Sequence, residues 1–212
     1  MGLTEMSLES FINALSARES VPGGGSAAAS AGAMGVALLL MVARYANDSG
    51  KFKSTIDALE DEKNSLILLV NRDAEAFKTV MDAYKLPKNT DEEKKLRDDK
   101  IQAALREAAD VPYDTLRTSA LAIKYIEILE ADCKKNMVSD LGVSASLLRS
   151  AIESAYLNIL INVALIRDKE FAQALLKDAT SIRVSSIKIL EHIFKRVEDS
   201  LGSSSWIFDN WK

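Results

Sequence analysis

An all-α fold, an up-and-down multi-helix bundle, is what this 212-residue sequence predicts. Three observations carry the prediction. Proline (3), glycine (9) and aromatic residues (6%) are scarce, while alanine, leucine, lysine and glutamate abound, which favours helix over strand. Apolar residues recur at i, i+3, i+4 and i+7, as at Leu8, Phe11, Ile12 and Leu15. No alternating stretch of six or more residues stands out, so no sheet is expected.

The elements follow in order. A first helix covers residues 7–16, and a second, rich in small residues, runs over 26–47 to a stop at Asp48-Ser49-Gly50. A long third helix spans 54–85 with Ile56, Leu59, Leu66, Leu69, Val70, Phe77 and Met81 on its apolar side, and ends at Leu86-Pro87-Lys88-Asn89. Thr90-Asp91-Glu92-Glu93 is a capping box that opens a fourth helix reaching to 110. Pro112 is placed in the first turn of a fifth, where its missing N–H costs nothing, and that helix continues to 133. After a polar break at 136–142, a sixth helix reaches 166 and a seventh covers 168–199. Residues 1–200 form one helical domain, and 201–212 a linker and tail carrying Trp206, Ile207, Phe208 and Trp211. Aromatics of this kind dock on their own chain or on a partner subunit.

Composition narrows the function. Hydrophobic residues at 48% and charged residues at 27% are those of a globular protein. A net charge of −4 argues against nucleic acid as the main partner. A single cysteine, Cys133, excludes an intrachain disulfide, and no metal cluster is expected. The N-terminus carries Glu5 and Glu9 and no basic leader, so a cytoplasmic protein is expected. Residues 21–43 hold no charge, yet their first half is glycine, alanine and serine, which contribute little to membrane insertion. A helix at the bundle centre or at a homodimer interface fits the run better than a membrane span. The lone histidine, His192, sits among Ile189, Leu190, Ile193 and Phe194, as an amphipathic-helix residue rather than a catalyst.

The most informative segment is Pro22-Gly23-Gly24-Gly25-Ser26-Ala27-Ala28. Glycines permit a sharp turn and a close approach without a Cβ, and a helix starting there presents free N–H groups to an anionic or polar ligand. A tight connection into a closely packed helix is the other reading. A P-loop is excluded because Ser26-Ala27 stands where Lys-Ser/Thr is needed, and a dinucleotide fold because a helix, not a strand, precedes the turn. With histidine, cysteine and metal set aside, carboxylates, lysines and amides remain. Asp73 and Glu75 belong either to a solvated helix face or, for one facing a cleft, to a general base raised by burial. Asp140, in Ser139-Asp140, either caps the following helix or takes part in chemistry. Asn158 and Asn162, four apart on an apolar helix, either bridge helices or line a polar pocket.

These segments, with Asp73-Ala74-Glu75-Ala76-Phe77, Leu86-Pro87-Lys88-Asn89-Thr90, Val111-Pro112, Ser139-Asp140-Leu141 and Asn158-Ile159-Leu160-Ile161-Asn162, resemble the cyclodeaminase domain of formiminotransferase-cyclodeaminase. They keep the family's order from about residue 7 to 195. The chain is similar to a stand-alone member of the formiminotetrahydrofolate cyclodeaminase/methenyltetrahydrofolate cyclohydrolase family. The resemblance implies a dimeric helical bundle with a folate cleft near the glycine turn and no cofactor beyond the tetrahydrofolate substrate. It implies conversion of 5-formiminotetrahydrofolate to 5,10-methenyltetrahydrofolate and ammonia, as in histidine degradation, with a separate formiminotransferase as the source of the formimino group. The alternative is hydrolysis of the methenyl bridge to 10-formyltetrahydrofolate; composition alone allows a non-catalytic helical interaction module. By the match, Asp73 is the first choice as proton carrier and Asp140 the second. Gly23, Gly24, Gly25 and Ser26 approach the folate, Lys88 meets a folate carboxylate, and Asn158 and Asn162 orient the substrate.

Overall fold

Helical periodicity is realised along nearly the whole chain. The computed structural model describes residues 2–47 and 50–202 and contains, among them, six α-helices and no strand. They are α1 (Leu8–Ser16), α2 (Gly24–Ala46), α3 (Lys53–Tyr84), α4 (Asp91–Glu130), α5 (Val138–Leu165) and α6 (Lys169–Gly202). Asp48, Ser49 and the aromatic tail from Ser203 lie outside the described residues.

From α2 onward each helix runs antiparallel to its predecessor. Ser26 meets Asp73 and Gly32 approaches Leu66 across α2 and α3, while Arg72 faces Asp114 across α3 and α4. Asn162 reaches Ala108 across α4 and α5, and Arg183 grips Glu153 across α5 and α6. The uncharged run thus forms the middle of the bundle, with α3, α4 and α5 packed around α2. This helix is long and apolar enough to cross a membrane, but 61% of its most apolar window is buried within the protein. Leu39 of α2, Leu66 of α3, Leu116 of α4 and Leu148 of α5 are fully buried, each contributing about 1.5–3 kcal/mol relative to exposure.

Small residues set how closely these helices approach. A Cβ on Gly35 would lie 3.0 Å from Leu148 Cγ and 3.2 Å from the Ser144 carbonyl, and the Ser144 hydroxyl donates to the Gly35 carbonyl at 2.8 Å. A Cβ on Gly32 would meet Ser119 Oγ at 2.8 Å. Both glycines therefore face the bundle interior, not its outer surface. Gly35→Leu is expected to lower stability by about 3 kcal/mol or more, read as a fall in the denaturant midpoint, because backbone and core must move apart.

Helix boundaries differ from the sequence prediction at several points. The break expected near residue 110 is absent: α4 continues through Pro112 to Glu130, so the predicted fourth and fifth helices are one. The second helix begins at Gly24 rather than Ser26, with Gly23 as its N-cap. The capping box at Thr90 is present, Thr90 Oγ1 accepting from the Glu93 N–H at 3.2 Å and the Glu93 carboxylate accepting from the Thr90 N–H at 3.3 Å.

Candidate functional site

Where α2 begins, α3, α4 and α5 leave a cleft of about 310 Å³. Gly23, Gly24 and Gly25 form one side of it. Asp73 comes from α3, Ala108 from α4, and Asn158 and Asn162 from the last turns of α5. Phe77, Leu105, Ile161 and Leu165 complete largely apolar walls. A concave apolar site with a few convergent polar groups is the usual form of a small-molecule site.

The centre of the cleft is the Asp73 carboxylate. Its Oδ2 accepts the Ser26 N–H at 2.7 Å and lies 2.9 Å from Ser26 Oγ. Asp73 thus serves, from another helix, as the cap that glycine cannot provide for the start of α2. The Ser26 hydroxyl also lies 3.0 Å from the Val70 carbonyl, so its one proton serves either that carbonyl or Asp73. Oδ1 accepts no bond from the described residues and is left for a ligand or a proton. Gly25 makes this arrangement sterically possible: a Cβ there would sit 2.0 Å from Oδ1.

Burial pushes the Asp73 carboxyl above its ordinary value, against the smaller lowering by the Ser26 hydroxyl and then the Ser26 N–H. Desolvation wins because the neighbouring walls are apolar. A carboxyl raised in a cleft is better suited to give and take protons than an ordinary surface aspartate.

The two asparagines are held differently. Asn158 Nδ2 donates to the Ser154 carbonyl one turn earlier on α5, at 2.9 Å, whereas Asn162 Nδ2 crosses to the Ala108 carbonyl of α4 at 2.6 Å. A carbonyl can only accept, so each amide nitrogen is turned to the backbone and each Oδ1 away from it. Of the two alternatives left open by the sequence, Asn162 satisfies both: it bridges helices and lines the cleft. Gly24 packs beside this group, its absent Cβ lying 3.4 Å from Asn158 Nδ2.

Asp140 and Lys88 are not brought to the cleft. Asp140 lies in the first turn of α5, about 27 Å along that helix from Asn158 at 1.5 Å per residue. It is next to Cys133, whose thiol is pushed up by burial and then by the Asp140 charge, the reverse of thiol activation. The predicted polar break ends before Asp140, at Met137, which is the N-cap. Lys88 sits on the α3–α4 connection in a separate groove with Lys94, Lys95 and Arg97. Their motifs precede or follow site residues in sequence, but neither position is among the residues that line the cleft. Glu75, in Asp73's motif, is exposed and lines a neighbouring groove. His192 is exposed on α6, its Nδ1 2.7 Å from the Lys188 carbonyl.

Sequence reasoning missed part of the wall. Phe77, placed by its spacing on the apolar side of the third helix, is 40% exposed and faces the cleft. Its position four residues after Asp73, on the same face of α3, was the available signal. Ile161 is 65% exposed at the cleft's rim. A second groove of about 530 Å³ adjoins the cleft, sharing Ser20, Val21 and Phe77 and continuing past Lys78 and Lys85.

Comparison with known proteins identifies the family. Residues 7–181 match the family model described as formiminotransferase-cyclodeaminase. A methenyltetrahydrofolate cyclohydrolase of Methylorubrum extorquens is 35% identical over 202 residues, covering 92% of this chain and 97% of that protein. The formimidoyltransferase-cyclodeaminase of Rattus norvegicus is 33% identical over 192 residues, 87% of this chain but only 35% of the longer rat protein. The crystal structure of a formiminotetrahydrofolate cyclodeaminase from Thermotoga maritima superposes with a TM-score of 0.74 at 28% identity, covering 93% of this chain and 96% of that one. The chain belongs to the formiminotransferase-cyclodeaminase family, a family of folate one-carbon cyclodeaminases and cyclohydrolases.

Proposed function

We propose that this chain is a methenyltetrahydrofolate cyclohydrolase with Asp73 as its proton carrier. The observation that supports the choice of reaction is the higher identity to a full-length cyclohydrolase, 35% against 28% for the cyclodeaminase of Thermotoga maritima. This reverses the order of preference drawn from the sequence, where deamination came first.

In the proposed reaction a water in the cleft attacks the electrophilic methenyl carbon between N5 and N10. Asp73 Oδ1, the oxygen left unengaged by Ser26, takes the proton from that water. The tetrahedral adduct then loses its bond to N5, which takes that proton from Asp73, while the adduct's hydroxyl proton passes to solvent and the one-carbon unit remains on N10 as a formyl group. Asn158 and Asn162 offer carbonyl oxygens to ring N–H groups of the pterin, while Phe77 and Ile161 cover its faces. The glutamate part extends into the adjoining groove, where Lys78 takes the role that the resemblance gave to Lys88, Lys85 there being paired with Asp82 at 2.9 Å. Addition of water, cleavage of the C–N5 bond and the proton transfers change no oxidation state, so the proposal calls for no cofactor beyond the tetrahydrofolate substrate. Acid–base assistance of this kind is worth about 10²–10⁴-fold.

The second reading is cyclodeamination, supported by the likeness to the Thermotoga maritima cyclodeaminase. The same carboxyl would take the proton from N10 as it attacks the formimino carbon and return one to the departing amine. Supplying 5,10-methenyltetrahydrofolate and 5-formiminotetrahydrofolate separately distinguishes the two. Accelerated loss of methenyl absorbance is the expected result. Methenyl formation with ammonia release from the formimino substrate alone would favour the second reading, and inertness toward both would leave a non-catalytic module.

A homodimer is proposed as the working form. The outward strip of α2, including Ala27, Ala31, Met34, Leu38 and Met41, carries no charge, and Met34 is 49% exposed. Beside it α1 offers Leu8 and Ile12, which line one apolar groove with Met34. Burial of such a strip against a second copy removes it from water. Light scattering is the measurement that checks it.

A further inference from the structure

α4 passes Pro112 without a break, and the consequence of that passage lies in the cleft. Proline has no N–H, so the carbonyl four residues earlier, that of Ala108, loses its helical donor. Ala108 is buried in the cleft wall, where its carbonyl faces α5. Asn162 makes up the loss with its Nδ2 at 2.6 Å. Pro112 itself is buried and does not line the cleft. Its influence on a ligand therefore passes through Asn162.

We propose that Pro112 is a positioning residue: by freeing the Ala108 carbonyl it locks the Asn162 amide with its nitrogen toward α4 and its oxygen as a hydrogen-bond acceptor for the ligand. A residue with an N–H at 112 would donate to Ala108 and release the Asn162 amide, which can then turn and offer its NH2 instead. Donor and acceptor exchange at that wall would follow from one backbone hydrogen bond. The ligand class so selected presents N–H groups there, as the pyrimidine edge of a pterin does. This step rests on the folate reading of the cleft, whereas the locking of Asn162 does not.

Two measurements on the full chain separate these claims. The first is a double-mutant cycle of Pro112→Ala and Asn162→Ala, read by calorimetry with tetrahydrofolate and by KM and kcat for the methenyl substrate. Pro112→Ala should weaken tetrahydrofolate binding about 10-fold, equivalent to about 1.4 kcal/mol, and raise KM more than it lowers kcat. In the Asn162→Ala background it should cost nothing further. Equal loss in both backgrounds, or unchanged affinity, overturns the proposal. Pro112→Val retains more of the ring's bulk and serves where the smaller side chain leaves a cavity. The second measurement is amide NMR of the ligand-free chain. Pro112→Ala should shift the Asn162 side-chain amide toward the free position and speed its exchange, while a new protected backbone amide appears at position 112. An unmoved Asn162 amide overturns the locking. Failure of the parent chain to bind tetrahydrofolate, with the NMR result intact, overturns the folate reading and the pterin selection but leaves the locking standing.

Discussion

Asp73→Asn should lower turnover by about 10²-fold or more while changing folate affinity little. The substitution keeps the shape, and an amide oxygen still accepts the Ser26 N–H, but the group that takes the proton is gone. The stability response has the opposite sign. Burial raises the Asp73 carboxyl in the folded chain, so the ionised form costs stability at neutral pH. That cost is present above the folded pKa and is relieved as pH falls through it toward the unfolded value. The asparagine variant, free of the penalty, should melt no lower than the parent at pH 7, and its relative advantage should shrink in acid. Retained activity of Asp73→Asn toward the substrate the parent turns over, measured beside Asp140→Asn as a control, would remove Asp73 from the mechanism. Asp140→Asn should behave as the parent, because Asp140 is far from the cleft.

Gly25→Ala should be nearly as damaging, through geometry rather than chemistry. The new methyl group would lie 2.0 Å from Asp73 Oδ1 and 2.5 Å from its Cγ. No contact so short is sustained, so the carboxylate must leave, breaking both bonds to Ser26 and uncapping the start of α2. Turnover is expected to fall by about 10²-fold, as for loss of the carboxylate itself, and stability by about 1–3 kcal/mol. Gly23→Ala is the comparison, since a Cβ there meets nothing within 4 Å of the protein. It should keep the fold and the Asp73 geometry, and any loss it shows is a loss of ligand fit. Full activity in Gly25→Ala would mean that the carboxylate position is not needed.

The contrast between Asp73 and Asp140 shows what a chain of residues carries and what it does not. Both stand in motifs that resemble the family's, but only folding decides distance. Asp73 reaches the cleft because α2 and α3 are antiparallel and Ser26 is drawn to it; Asp140 starts α5, whose other end holds Asn158. Lys88 fails for the same reason, its loop lying beside Lys94 and Arg97. Phe77 is legible as part of an apolar helix face, but helical spacing does not say whether a neighbouring helix or a ligand covers it.

By itself the sequence determined the helical class, most helix limits, the capping at Thr90 and the small-residue character of the central helix. These are properties of local spacing, propensity and capping, and each is decided within a few residues. The meeting of Gly25, Ser26 and Asp73, across 47 positions for the latter pair, was decided by tertiary packing. So was the continuity of α4. Pro112 reads locally as a helix start because its missing N–H is harmless only there; in the folded chain Asn162, 54 residues from Ala108, supplies the donor that proline lacks. A backbone group can be satisfied by a partner from anywhere in the fold, and only the fold says which.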